Sequence, residues 1–416
     1  MHLLWIKTDL LYPLNSGGRI RTFEMLRAIR RRHDVTYVAL DDGTVTPEAL
    51  RHAEEYATRV ELIPHAPPKK GTVPFYTALL ANLASSSPYV IDRYRSPAMA
   101  ERVREWCDRD VDLLICDFVF PAPAIPLVAR MPRIVFQHNV EARIWARHAK
   151  VGATPLHRAY FGLQHRRMRA TEAALCASFD GVIAVSESDA AEFRSAYALA
   201  NVESLPTGVN TEFFRVTDPA AREAKHLIFL GAMDWMPNID GIRWFANEIL
   251  PRLRRDEPDV RLTIVGRDPV ASVRELHDPE HGVVVTGTVA DVRPYLERAS
   301  VFVVPLRVGG GTRLKLFEGL ATGIPTVSTT IGAEGLPLTD GVHLRIADEP
   351  STIASAILSL MRDPAAATRM GETAAQFVRG TFGWDKIAQQ FLDACMRLGV
   401  RPSQPVADPN VARSRA

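Results

Sequence analysis

Short runs of Val, Ile and Leu, most of them unbroken by charge, recur along this chain with helix-length segments between them. In the first half they fall at residues 3–8, 35–40, 60–64, 113–117, 134–137 and 182–185. In the second half they fall at 227–230, 261–265, 283–286, 301–304, 326–328 and 343–346. A strand buried on both faces has no polar side, so it reads as a continuous apolar run, and such strands belong to parallel sheets covered by helices. Helical patterns separate many of the runs, among them 20–32, 98–109, 239–255, 293–298 and 314–322. This alternation predicts an α/β protein made of two tandem Rossmann-like, doubly wound domains.

At 416 residues the chain is too long for one ordinary core, which agrees with two sheets. The expected domains are 1–207 and 208–383, joined after a turn at Pro206–Gly208. Helical patterns follow at 351–362, 364–380 and 384–398; the last is expected to cross back to the first domain, and 401–416 reads as a disordered tail. Lys and Arg number 50 against 48 Asp and Glu, a balance that argues against a nucleic-acid binder. Cys107, Cys116, Cys176 and Cys395 show no metal-site spacing and read as reduced thiols. The start of the chain reads as a first strand rather than a signal peptide, and no stretch of about 18 uncharged apolar residues is present. These features point to a cytoplasmic protein.

Open α/β sheets bind ligands beyond the carboxyl ends of their strands, so residues just after strands carry the functional information. The strongest such segment follows the strand ending at Val304. Gly309, Gly310 and Gly311 lead into a helix that begins near Thr312, with Arg313 and Lys315 in its first turn and Glu318 a little further on. Free N–H groups at a helix start attract phosphate, and glycines let the backbone approach it closely. Positive charge at that end opposes the helix dipole, so an anionic ligand would compensate Arg313 and Lys315. Glu318 is placed to accept from ribose hydroxyls. A glycine-rich surface loop with solvated charges is the plainer alternative.

Three further segments stand at comparable positions. After the first strand, Gly17 and Gly18 open a helix that carries Arg19 and Arg21, candidate anion contacts; a tight strand–helix turn is the plainer alternative. The spacing is not the full dinucleotide fingerprint. His138, Asn139 and Glu141 follow the strand at 134–137; the alternative makes His138 a loop-bonding residue and Glu141 an early-turn helix acid. Between Glu141 and Glu172 there is no acidic residue, while Arg143, Arg147, Lys150, Arg158, Arg166, Arg167 and Arg169 alternate with apolar side chains. An anionic membrane surface attracts such a stretch, and a solvated helical face or an acidic acceptor site is the alternative.

The segment around Glu318 resembles the donor-binding motif of the retaining group-one glycosyltransferases, which have the two-domain glycosyltransferase-B fold with a central cleft. Glu318 matches that family's second Glu; Gly310 stands where the first would be. Residues 206–214 resemble the family's domain-linking segment, 285–291 the loop that holds the nucleotide base, and 185–189 a strand–helix junction facing the cleft. The resemblance implies a nucleotide diphosphate-sugar as co-substrate, with no other cofactor and no protein-bound metal, and a glycan, lipid-linked or small-molecule acceptor. It implies donor contacts at Gly17, Gly18, Gly287, Val289, the loop from Gly309 to Thr312 and Glu318. It implies catalytic contributions from His138, Arg313 and Lys315, and acceptor-side positions at Arg19, Asn139 and Glu141.

Loss of a nucleotide diphosphate develops negative charge, which fixed cations and N–H groups stabilise. The Asp-x-Asp spacing at 108–112 precedes a strand and reads as a solvated turn. Two rival classes remain open: a nucleotide-sugar epimerase or hydrolase on the same fold, and a non-catalytic sugar-binding protein or partner subunit.

Overall fold

A computed structural model describes residues 1–151, 154–215, 221–308 and 314–399. The expected donor residues Gly309, Gly310, Gly311, Thr312 and Arg313, and the expected tail, lie outside the described residues. The chain divides into two units, Met1–Leu205 with the chain from Ala388 onward, and Pro206–Ile387.

The first unit holds β1 (His2–Ile6), α1 (Gly17–Arg30), β2 (Asp34–Asp41), α2 (Pro47–Tyr56), β3 (Arg59–Pro64), α3 (Val73–Leu83), α4 (Tyr89–Arg93), α5 (Pro97–Cys107) and β4 (Leu113–Asp117). It continues with β5 (Arg133–Gln137), α6 (Glu141–Val151), α7 (Pro155–Ala177), β6 (Gly181–Ala184), α8 (Glu187–Ala196) and β7 (Val202–Ser204). Its seven strands are all parallel, in the order β3-β2-β1-β4-β5-β6-β7. Strand β4 is buried at every position, as a central strand must be. Ser16, Thr46, Ser96, Thr154 and Ser186 each accept the N–H of the residue three further on, and so start α1, α2, α5, α7 and α8. Each such cap contributes about 1 kcal/mol.

The second unit holds β8 (Glu223–Leu230), α9 (Met236–Trp244), α10 (Leu250–Asp256), β9 (Arg261–Val265), α11 (Ala271–Arg274), β10 (Val283–Gly287), α12 (Arg293–Arg298), β11 (Ala299–Val304), α13 (Leu314–Ala321), β12 (Thr326–Ser328) and β13 (Arg345–Ile346). The helices α14 (Pro350–Arg362), α15 (Pro364–Phe382) and α16 (Trp384–Gly399) follow. This sheet is also wholly parallel, in the order β10-β9-β8-β11-β12-β13. The single helix expected at 239–255 is instead α9 and α10 joined by a π turn at Phe245–Ile249. Pro251 lacks an N–H, so the interrupted ladder there has a covalent cause. From Ala388 onward, α16 clusters with the first unit, where Phe391 packs on Trp5 and Phe136.

Strand order reverses between β1 and β4 in one sheet and between β8 and β11 in the other. In an open sheet the crevice at such a reversal is where ligands bind.

Candidate functional site

In the first unit three chain segments leave the sheet side by side at the reversal. Lys7 follows β1, Asp117 ends β4 and His138 follows β5, and all three are buried. Asp117 Oδ2 accepts from Trp5 Nε1 at 3.0 Å and Thr22 Oγ1 at 2.7 Å, and lies 2.9 Å from Lys7 Nζ. His138 Nε2 lies 2.8 Å from Asp117 Oδ1, and Arg21 donates through NH1 to His138 Nδ1 at 3.0 Å. A guanidinium can only donate, so Nδ1 accepts and the proton of the neutral ring sits on Nε2, facing Asp117.

Burial alone would raise the Asp117 pKa, but the Lys7 ammonium and His138 outweigh it and hold the carboxyl well below the usual carboxylate range. Burial pushes His138 down to about 4 despite the pull of Asp117, and lowers Arg21 to about 10. His138 is therefore a neutral, oriented imidazole at physiological pH. The ring stacks on Phe118, with centroids 4.2 Å apart, and the Lys7 ammonium lies 4.5 Å from the Phe118 centroid. Phe118 has φ 66°, a left-handed backbone that a bulky side chain seldom adopts. Gly18 lies close beside it: a Cβ there would meet the Phe118 ring at 3.3 Å, a tight contact, and His138 Nδ1 at an ordinary 3.6 Å.

A cavity of about 620 Å³ opens over this network, lined by Gly18, Arg19, Asp42, Thr44, Tyr94, Phe118, Phe120 and Asn139 among others. Arg19 is held at its edge by Asp9, with bonds of 2.9 and 2.6 Å from Nε and NH2. Asn139 is exposed to the cavity, whereas Glu141 is buried. The cap of α6 is not supplied by Glu141 itself. Glu172, reaching in from α7, accepts the backbone N–H of Glu141 at 2.9 Å and of Ala142 at 3.1 Å. Burial, then the nearby Glu172 charge, pushes the Glu141 carboxyl up to about 8, with the Asn139 side chain opposing.

In the second unit Lys315 and Glu318 stand one turn apart on α13, beyond β8 and β11. The Lys315 ammonium bonds to Asn238 Oδ1 and lies 4.8 Å from the centroid of the Phe229 ring. Asn238 Nδ2 in turn donates to Ala232 O at 2.9 Å, which ties it to the loop after β8. Glu318 is half-buried, and burial pushes its carboxyl up to about 7, with Lys315 pulling the other way. Arg307 fixes the exit from β11 through bonds of 3.0 and 2.6 Å to the Asp240 carboxylate. Gly287 ends β10 with φ 71° and leads to Val289, half-buried in the following loop.

Gly17, Gly18, Arg19, His138, Asn139 and Glu141 thus belong to the first unit, and Gly287, Val289, Lys315 and Glu318 to the second. Lys7, Asp117, Phe118 and Asn238 are additions to the expected set. A signal for two of them was present: Lys7 and Asp117 are lone charges directly after, or at the end of, apolar strands. Nothing local marks Phe118 or Asn238.

Residues 15–213 match the sequence model of glycosyltransferase family 4, and residues 224–363 match that of glycosyl transferases group 1. The chain belongs to the group 1 glycosyltransferases. It is 28% identical over 235 residues, 51% of this chain and 61% of the relative, to the GDP-mannose-dependent alpha-(1-6)-phosphatidylinositol monomannoside mannosyltransferase of Mycobacterium tuberculosis. The chain spans between 44% and 61% of the length of the curated relatives first matched. Its fold resembles sucrose-phosphate synthase from Thermosynechococcus elongatus, with TM-score 0.65 and 16% identity over 96% of this chain and 99% of that one. It also resembles Anabaena HepE, solved in complex with UDP, with TM-score 0.62 and 16% identity over 95% of this chain and all of that one. The two parallel-sheet α/β units of this chain therefore have the expected glycosyltransferase-B fold. No helix among the described residues is long and apolar enough to cross a membrane.

Proposed function

We propose that the protein transfers a glycosyl group from a nucleoside diphosphate-sugar to a hydroxyl of a glycan or lipid-linked acceptor. The observation that carries this reading is the pairing on α13 of an anchored ammonium, Lys315, with a carboxyl one turn on, Glu318, at the strand-order reversal of the second sheet. A diphosphate needs the first group and a ribose the second. In this reading the base lies along Gly287 and Val289, and the leaving diphosphate is stabilised by Lys315 together with Arg313 and the N–H groups of the glycine loop. The acceptor occupies the cavity over Phe118, between Arg19 and Asn139, where aromatic and hydrogen-bonding side chains alternate. Neutral His138 acts from beneath that cavity as an oriented dipole, not as a proton donor.

Transfer with retention of configuration and without a protein-bound metal is part of the proposal. The UDP complex of the similar HepE fold and the phosphatidylinositol mannoside named for the mycobacterial relative support a nucleotide donor and a lipid-linked acceptor. That acceptor class also supports a peripheral contact with anionic membrane.

The test is a transfer assay with labelled nucleotide-sugars and a lipid extract, with the product anomer assigned by NMR. A product of the donor's own anomeric configuration is expected. An inverted product would remove the retaining reading. Consumption of donor with no acceptor present would favour an epimerase or hydrolase.

A further inference from the structure

Helix α3 has the sequence VPFYTALLANL and presents Val73, Tyr76, Leu80 and Leu83 to solvent, at 75%, 56%, 66% and 47% exposure. Their spacing of three, four and three residues puts them on one side of the helix. Single exposed apolar side chains are ordinary, but a continuous row on one short helix is a surface that water covers poorly. The other side of α3 is anchored. Asn82 accepts from Gln164 Nε2 at 2.9 Å, Arg167 NH2 donates to Leu83 O at 2.8 Å, and Phe75 packs edge-on against Tyr89. These contacts, at Phe75 and at the last turn, leave the apolar row of α3 turned outward.

The surroundings identify what covers it. Lys69 and Lys70, both exposed, stand at the N-terminal end of the row, and Arg167 stands at its C-terminal end. Residues 62–91 and 142–171 contain no Asp or Glu, and the carboxylate that does meet α3, Asp92, is engaged by Asn82 Nδ2 at 2.8 Å on the anchored side. Of the cations in the basic stretch at 143–169, Arg167 is the one that stands beside α3. Arg143 is paired with Asp189 and Glu192, and by helical periodicity Arg158, Arg166 and Arg169 turn away from α3.

We infer that α3 is a membrane-docking helix, lying in the interface of an anionic bilayer with its apolar row immersed and Lys69, Lys70 and Arg167 at the headgroups. Apolar immersion and attraction to acidic lipid are the two terms that hold such a helix. The inference deepens the reading of a lipid-linked acceptor and rests on it for its purpose.

The test is co-sedimentation of the full chain with vesicles of phosphatidylcholine alone and of phosphatidylcholine with phosphatidylglycerol. The wild type should bind the second and not the first, and lose binding as salt rises. The double variant Val73→Asp with Leu80→Asp should lower binding at least tenfold, and Lys69→Gln with Lys70→Gln by roughly fivefold per charge removed. Unchanged melting temperatures and nucleoside diphosphate binding check that these exposed substitutions leave the fold and the donor reading intact. Arg166→Gln with Arg169→Gln should bind vesicles as the wild type does. Loss of binding in that variant, with none in the α3 variants, would overturn the role of α3 and leave a peripheral contact standing elsewhere. Binding to neither vesicle would overturn both. A dimer in solution that Leu80→Asp dissociates would assign the row to a second copy of the chain, against the proposal.

Discussion

His138 and Asp117 meet at 2.8 Å in the interior of the first unit, and the pair is fixed from the far side by Arg21 on His138 Nδ1. Both residues are buried, so each depends on its partners for compensation. Asp117→Asn would leave Lys7 as a buried ammonium facing an amide. Breaking a buried pair by removing one partner costs about 3–5 kcal/mol. A clear drop in the unfolding midpoint is expected, measured by denaturant titration of the first transition. An unchanged midpoint would show that Lys7 escapes to water, contrary to its placement.

The same pair sets a pH dependence. The folded-state pKa of His138 lies at about 4, below its ordinary value of 6.5. A group depressed on folding contributes stability that is complete above the unfolded pKa and is lost as pH falls through the folded one. Wild type should therefore lose stability between about pH 6.5 and pH 4, and His138→Gln should lose less of it over that range. Parallel slopes for the two proteins would contradict the neutral assignment.

Glu141 works in the opposite sense. Its carboxyl is raised to about 8, so the neutral form is favoured on folding. Its contribution is present below the unfolded value of 4.5 and is lost as pH rises through 8. Glu141→Gln keeps the shape and removes the ionisation. Relative to wild type it should gain stability between about pH 5 and pH 9, by an amount on the order of a few kcal/mol. Thermal melts across that range would show it, and a constant difference would not fit.

Glu318 links pH to donor binding. Its carboxyl stands near 7 in the free protein. A ribose whose hydroxyls donate to it favours the ionised form, so binding releases a proton. Nucleoside diphosphate affinity should therefore rise as pH is raised through 7, and calorimetry in buffers of different ionisation enthalpy should detect the proton. Glu318→Gln should bind more weakly with a flatter profile. Tightening of binding on acidification would mean that the carboxyl meets the phosphate or base instead.

Asn238 is proposed to position Lys315 rather than touch the donor. Asn238→Ala should then raise KM for the nucleotide-sugar more than it lowers kcat, and add little to the defect of Lys315→Met in a double-mutant cycle. Full additivity would separate the two residues.

Much of the architecture was legible because a buried parallel strand has no polar face to disguise it. The runs at 113–117 and 261–265 coincide with β4 and β9. What escaped has physical reasons. The π turn at Phe245–Ile249 keeps helical periodicity, so the pattern does not announce it. The left-handed backbone of Phe118 coincides with packing of its ring on His138 and Lys7, contacts that no local pattern in the sequence announces. Asn238 reaches Lys315 across 77 positions of chain, a contact that only the sheet brings about. The position of His138 directly after a strand was legible, but its confinement between Arg21 and Asp117 was not. The apolar residues interleaved with the cations of α6 and α7 are half-buried apart from Leu156, and no pattern in the sequence singled out the exposed row on α3.

The central claim is that the second unit takes a nucleoside diphosphate at Lys315 and Glu318. It is tested most directly by calorimetric titration of the protein and of Lys315→Met and Glu318→Gln with a panel of nucleoside diphosphates. The account predicts saturable binding of one or two of them by the wild type, weakened about tenfold or more in each variant, a loss of about 1.4 kcal/mol or more. Binding that both variants leave unchanged, or no binding by the folded wild type, would contradict it.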